Sequence, residues 1–115
     1  SNKDTERVVE TNILSAPYLV TFQISRYALS NEARVNIGFQ AKIMKENKNA
    51  VYTIIGYADK GTGTKEFNQF LSKARAEAVY NCLVKSQLKI TYEGGVDNMF
   101  YDDPRVSRAV ITVIK

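Results

Sequence analysis

The apolar positions of this chain follow two periods, one of two residues and one of three to four. The opening stretch, Ser1 to Asn12, is largely polar, so residues 1–15 read as a leader or linker ahead of a domain spanning 16–115. Tyr18-Leu-Val-Thr-Phe-Gln-Ile24 alternates in part and is rich in β-formers, which predicts a strand. Ser30 stands where a hydroxyl can accept from a free amide of a first helical turn. Ala33, Ile37, Ala41 and Met44 follow at helical spacing, giving one apolar stripe. Lys45-Glu-Asn-Lys-Asn49 ends that pattern. Val51-Tyr-Thr-Ile-Ile55 is apolar on both faces, as a central strand is.

Gly56-Tyr57-Ala58-Asp59 leads into the loop Lys60-Gly-Thr-Gly-Thr64. A second helix is predicted from about Lys65 to Leu83, with Phe67, Leu71, Ala74, Ala78 and Cys82 as its apolar stripe. On that reading Cys82 is a small buried hydrophobe rather than a reactive thiol. Leu88-Lys-Ile-Thr-Tyr92 alternates as a third strand ending at Gly94-Gly95, and a last strand is expected over Val106 to Ile114. The order β-α-β-α-β-β predicts an α+β fold, a two-layer α/β sandwich with two helices packed on one mixed four-stranded sheet. One junction fits poorly. Val84-Lys85-Ser86-Gln87 must turn the chain without the glycine that often closes a helix, which suggests a short loop missing between Lys85 and Ser86.

Composition narrows the chemistry. The 115 residues fit one domain, and 44% of them are hydrophobic, too many for a disordered chain. No apolar run approaches the roughly 20 residues that span a bilayer. The chain has no histidine and one cysteine. Histidine-based triads and an internal disulfide are therefore excluded, and no usual zinc site can be built. No metal or other cofactor is implied. A net charge of +4 admits acidic partners, but the basic residues are scattered and read as a solvated surface.

The informative segment runs from Gly56 to Val79. Asp59 lies just past a central strand on a glycine-bearing loop, where α/β folds place binding groups. Arg75 lies on the following helix, and Asn68, Leu71 and Arg75 share roughly one side of it. An acid and an arginine so placed can form an internal salt bridge. They can also stand apart and clasp a zwitterion, the acid taking an ammonium and the guanidinium a carboxylate. The residues alone favour the internal pair.

Phe67, Asn68, Leu71, Ser72, Arg75 and Ala76 stand in register with Asn-x-x-Leu-Ser-x-x-Arg-Ala preceded by an aromatic residue. Gly56-Tyr57-Ala58-Asp59 matches Gly-(His/Tyr)-(Thr/Ala)-Asp. In both motifs the chain resembles the C-terminal domain of OmpA, a family that includes the peptidoglycan-associated lipoproteins and the MotB stator domain. The similarity extends to Val20-Thr-Phe22 through Tyr27, and to Arg108-Ala-Val-Ile-Thr-Val113. It implies non-covalent binding of peptidoglycan at the diaminopimelate of the stem peptide. Asp59 and Arg75 would hold the free amino-acid end of that residue. Asn68 would support the loop or the ligand, and Leu71 would form an apolar wall. Ile24 and Ser25 would line the pocket after strand 1, and Arg108 would add positive charge at the rim. The loop from Asp59 to Asn68 is one residue longer than in many members. Ile24-Ser25 stand where an aromatic and an acid are common.

The resemblance implies a non-enzymatic anchor in the periplasm of a diderm bacterium, part of an outer-membrane or envelope protein. It would meet the membrane only through that parent protein, and a homodimer is admitted. The alternative is a basic nucleic-acid-binding α/β module. Its pI near 9.2 and seven tyrosines permit that, but an RNA-recognition sheet needs the order β-α-β-β-α-β and an RNP motif, and neither is present. A hydrolase pairing Asp59 with Glu66 or Asp102 is disfavoured, because an arginine beside Asp59 would keep that acid ionised.

Overall fold

The computed structural model describes residues 19–58, 63–84, 87–97 and 109–114. The expected leader, Asp59, Asp102 and Arg108 fall outside them. The elements are β1 (Leu19–Thr21), α1 (Asn31–Lys45), β2 (Val51–Ala58), α2 (Lys65–Leu83), β3 (Lys89–Asp97) and β4 (Ala109–Ile114). This is the predicted order. The sheet runs β1-β4-β2-β3. β4 is antiparallel to both β1 and β2, while β2 and β3 are parallel. The sheet is therefore mixed, as expected, with β2 and β4 central.

Each helix starts on a hydroxyl. Ser30 Oγ accepts from the Ala33 amide at 3.0 Å, as predicted, and Thr64 Oγ1 accepts from the Phe67 amide at 3.1 Å. These bonds satisfy amides that the first helical turn leaves open. α1 buries Ala33, Ile37, Gln40 and Met44, so the predicted stripe is right except that Gln40 is more deeply buried than Ala41. Gln40 tolerates burial because the Thr112 hydroxyl on β4 donates to its Oε1. Tyr52 on β2 donates its hydroxyl to the Asn47 and Met44 carbonyls, at 3.0 and 3.3 Å, tying the end of α1 to the sheet.

α2 is rotated from the predicted stripe. It buries Asn68, Leu71, Ser72, Arg75, Ala76, Val79 and Leu83. Phe67 is 39% exposed, and Ala74, Ala78 and Cys82 are less deeply placed than these. Cys82 still packs against the core, and its sulfur lies 3.9 Å from an Arg34 guanidinium nitrogen. The rotation follows from how closely the helix meets the sheet. A Cβ at Gly56 would collide with the Ser72 carbonyl oxygen and sit 2.9 Å from the Ala76 nitrogen. One at Gly94 would lie 2.6 Å from Ser72 Oγ. Small residues on both sides let α2 lie on β2 and β3, a contact that larger apolar side chains would prevent.

Strand lengths also differ from expectation. β1 stops at Thr21, short of Ile24, and the chain then turns through Ser25 at φ 60. β3 continues through Gly94 and Gly95, with a register shift opposite Gly56/Tyr57; the glycines form a bulge instead of ending the strand. At the uncomfortable junction, Gln87 takes φ 59 and its amide bonds to the Val84 carbonyl at 3.2 Å. A glutamine thus supplies the left-handed residue expected of a glycine, while Lys85 and Ser86 lie outside the described residues.

Gly38, in the middle of α1, has nothing within 4 Å of the place a Cβ would occupy. Gly38→Ala is expected to raise stability by about 0.5–1 kcal/mol through helix propensity alone, measurable as a higher urea midpoint at unchanged slope.

Candidate functional site

Arg75 is the largest fully buried side chain of the described residues, at 0% exposure. Its guanidinium is committed in three directions. Nε donates to the Arg26 carbonyl at 2.8 Å, Nη1 to the Tyr57 carbonyl at 2.7 Å and Nη2 to the Gln23 carbonyl at 3.0 Å. Its carbon lies 5.4 Å from the centre of the Phe22 ring, within cation–π range. One side chain on α2 therefore joins the end of β2 to the loop after β1. These contacts explain why β1 is short. The Gln23 and Arg26 carbonyls turn toward Arg75 instead of continuing the sheet, so a tertiary partner overrides local β-propensity.

These three bonds fix the position and the orientation of the guanidinium. A guanidinium carries five N–H donors in a fixed fork, and the edge between its two terminal nitrogens suits a carboxylate bidentately. Arg75 has no surface open to solvent. Direct contact with a ligand requires the covering chain to part.

A cavity of about 510 Å³ lies against the same loop, lined by Thr21, Phe22, Gln23, Arg26, Ala28, Leu29, Ser30 and Glu32. Its size is in the usual range for small-molecule sites. Phe22, Gln23 and Arg26 belong both to its wall and to the surroundings of Arg75, so Arg75 braces the cavity from behind. Ile24 and Ser25 form the exposed crest of the turn between Gln23 and Arg26, with Ile24 at 53% exposure.

Asn68 is 4% exposed and Leu71 is 3% exposed, both on the sheet-facing side of α2. Gly63, at φ 73, approaches Asn68 so closely that a Cβ there would lie 3.0 Å from its Oδ1. Asn68 thus abuts the end of the β2–α2 loop. Asp59, which follows Ala58 directly, and Arg108, which precedes Ala109, lie outside the described residues. The structure accordingly brings Arg75, Asn68 and Leu71 onto one buried face and sets Ile24 and Ser25 on the loop that Arg75 holds. Sequence reasoning missed Phe22, Gln23, Arg26, Tyr57 and Glu32. Gln23, Arg26 and Tyr57 act on Arg75 through main-chain oxygens, which every residue has, so no side-chain pattern marks them. The signals available were the motif around Tyr57, the similarity from Val20-Thr-Phe22 through Tyr27, and the opposite charges of Arg26 and Glu32 around the cap residue Ser30. Among the described residues no cluster of acidic, cysteine or histidine side chains could hold a metal ion.

Known proteins share both the fold and the sequence pattern. Outer membrane protein 40 of Porphyromonas gingivalis is 34% identical over 109 residues, covering 91% of this chain and 27% of that protein. The chain thus spans about a quarter of that relative's length. The OmpA-like domain of FopA1 from Francisella tularensis superposes with a TM-score of 0.71 at 25% identity, covering 84% of this chain and 72% of that one. The peptidoglycan-associated lipoprotein from Burkholderia pseudomallei gives a TM-score of 0.72 at 21% identity, covering 90% and 98%; it supports the fold alone. The OmpA family model matches residues 21–112, which include the end of β1, the Arg75 helix and most of β4, and the chain belongs to the OmpA family.

Proposed function

We propose that this chain is a non-enzymatic anchoring domain that binds peptidoglycan non-covalently through the diaminopimelate of the stem peptide. In this reading Asp59 takes the ammonium and Arg75 the carboxylate of the residue's free amino-acid end. Asn68 supports the loop carrying Asp59, Leu71 backs the site, and Arg108 adds charge at its rim. Ile24 and Ser25 are the crest that the ligand meets. The observation that carries the reading is the fixing of the Arg75 guanidinium by three backbone carbonyls. A cation oriented in advance in a low-dielectric setting favours a carboxylate partner, and the cost of binding lies in parting the loop that covers it.

Family membership and the resemblance of the motif support the wall as ligand. A periplasmic setting, within an outer-membrane or envelope protein, follows from the same reading. No described helix is long and apolar enough to cross a membrane. A single amino-acid head offers few contacts, so each site binds modestly, and many sites along a polymer supply the retention.

Asp59→Asn tests the reading. It keeps the shape of the side chain and removes its charge. Calorimetric titration with a diaminopimelate-containing tripeptide is expected to show at least a tenfold loss of affinity, equivalent to about 1.4 kcal/mol, with circular dichroism checking that the variant is folded at the titration temperature. Unaltered affinity in Asp59→Asn would remove Asp59 from the site.

A further inference from the structure

Three aromatic side chains form a patch that neither the core nor the Asp59–Arg75 site uses. Tyr27 is 47% exposed, Phe67 39% and Phe70 53%. Tyr27 meets Phe70 edge to face, with centroids 5.5 Å apart and planes at 89°. Phe67 and Phe70, three residues apart on α2, lie side by side at 6.1 Å with planes inclined by 36°. Single exposed apolar residues are ordinary, but contiguous ones mark interaction surfaces.

Its position points to the occupant. Tyr27 follows Arg26, whose carbonyl is held by Arg75. At the other end, a Cβ on Gly63 would be 3.6 Å from the Phe67 ring, so the patch reaches the β2–α2 loop that begins at Asp59. The patch thus runs from the loop held by Arg75 to Gly63, just ahead of α2. With about 200 Å² for a whole aromatic side chain, the three exposed fractions amount to roughly 300 Å². A stable protein partner needs about 800 Å² per side, so these rings alone are too small for a second copy. They suit one or two sugar rings. Phe67 and Phe70 have no polar side-chain atoms, and their faces carry the negative part of the ring quadrupole. The axial C–H groups of a pyranose present weakly positive hydrogens to such a face.

We propose that Tyr27, Phe67 and Phe70 form a stacking platform for the glycan strand of the same wall polymer, beside the stem-peptide site. This proposal rests on the reading given under Proposed function. The domain would then grip two chemistries of one polymer, the charged peptide end and the apolar face of the sugars.

Calorimetric titration of the whole chain with two probes tests it. One is a diaminopimelate-containing tetrapeptide, and the other is the same peptide attached to its disaccharide. The disaccharide-peptide is expected to bind about tenfold tighter than the peptide, a gain equivalent to about 1.4 kcal/mol. Phe70→Ala is expected to erase that difference while leaving peptide affinity unchanged, and Phe70→Tyr to restore it. Equal affinity of the two probes for the wild-type chain would overturn the platform, as would an equal loss for both probes in Phe70→Ala. Binding of the disaccharide-peptide that depends on Phe70, with no binding of the free peptide, would overturn the stem-peptide site and keep the platform. Binding of neither probe would overturn both.

Discussion

Replacing Arg75 by alanine is expected to lower the unfolding free energy by about 3–5 kcal/mol, the upper range for a single substitution that breaks a buried hydrogen-bond network. Three charge-assisted bonds vanish at once, each worth roughly 1.5–3 kcal/mol, and their losses overlap because one side chain makes them all. The carbonyls of Gln23, Arg26 and Tyr57 lose these donors, and a void opens beside Phe22, which is 6% exposed. Against a total stability of about 5–15 kcal/mol, the variant would be marginal. Arg75→Lys keeps the charge, but a single ammonium cannot serve three carbonyls from two separate segments with the same geometry. It should recover only part of the loss. Equilibrium urea unfolding measures both. A loss under about 1 kcal/mol for Arg75→Ala would mean that the three bonds contribute little. One consequence for function is that lost binding in Arg75→Ala does not by itself place Arg75 against the ligand. The substitution also releases the loop that walls the cavity.

Gly56→Val is expected to cost about 3 kcal/mol or more, at the upper end of overpacking effects. The added Cβ would meet the Ser72 carbonyl and the Ala76 amide nitrogen. Both are backbone atoms of a helix and cannot rotate aside. α2 would have to lift from the sheet, disturbing Ala76 and Val79, both 0% exposed. Because Arg75 lies next to Ala76, the same displacement would pull the guanidinium from Tyr57. The expected signature is a lowered urea midpoint together with weakened binding of the peptide probe. Near-wild-type stability would show that the helix–sheet spacing has slack which the close approach at Gly56 denies.

The architecture was legible because it rests on periodicity. The hydroxyl cap at Ser30, the α1 positions Ala33, Ile37 and Met44, and the apolar run of β2 each follow from local chemistry. The α2 face was not legible by the same means. Counting apolar residues selected Phe67, Ala74, Ala78 and Cys82. The fold instead buries Asn68, Ser72 and Arg75, because glycines on the sheet demand small neighbours and because Arg75 finds carbonyl partners. A periodic pattern cannot register either cause, since both lie on other segments of the chain. The motif Asn68-x-x-Leu71-Ser72-x-x-Arg75 did mark that face, through family resemblance rather than hydrophobicity.

The candidate site divides in the same way. Arg75 and Asn68 were singled out from the sequence, and both are buried beside the loops expected to carry the ligand. What could not be read was how Arg75 is held. The Gln23, Arg26 and Tyr57 oxygens belong to the backbone, and their convergence on one guanidinium exists only in three dimensions. Beside the salt-bridge and clamp alternatives for Arg75 there is thus a third component, a structural brace that either arrangement would need.

In the proposed arrangement the wall peptide is held between Asp59 and Arg75. A crystal structure of the chain with a diaminopimelate-containing tripeptide tests it most directly. The free carboxylate of diaminopimelate is expected within about 3 Å of the Arg75 terminal nitrogens and its ammonium against the Asp59 carboxylate. Peptide seated elsewhere, with Arg75 still closed on its three carbonyls and making no contact with it, would rule that arrangement out and leave Arg75 a purely structural residue.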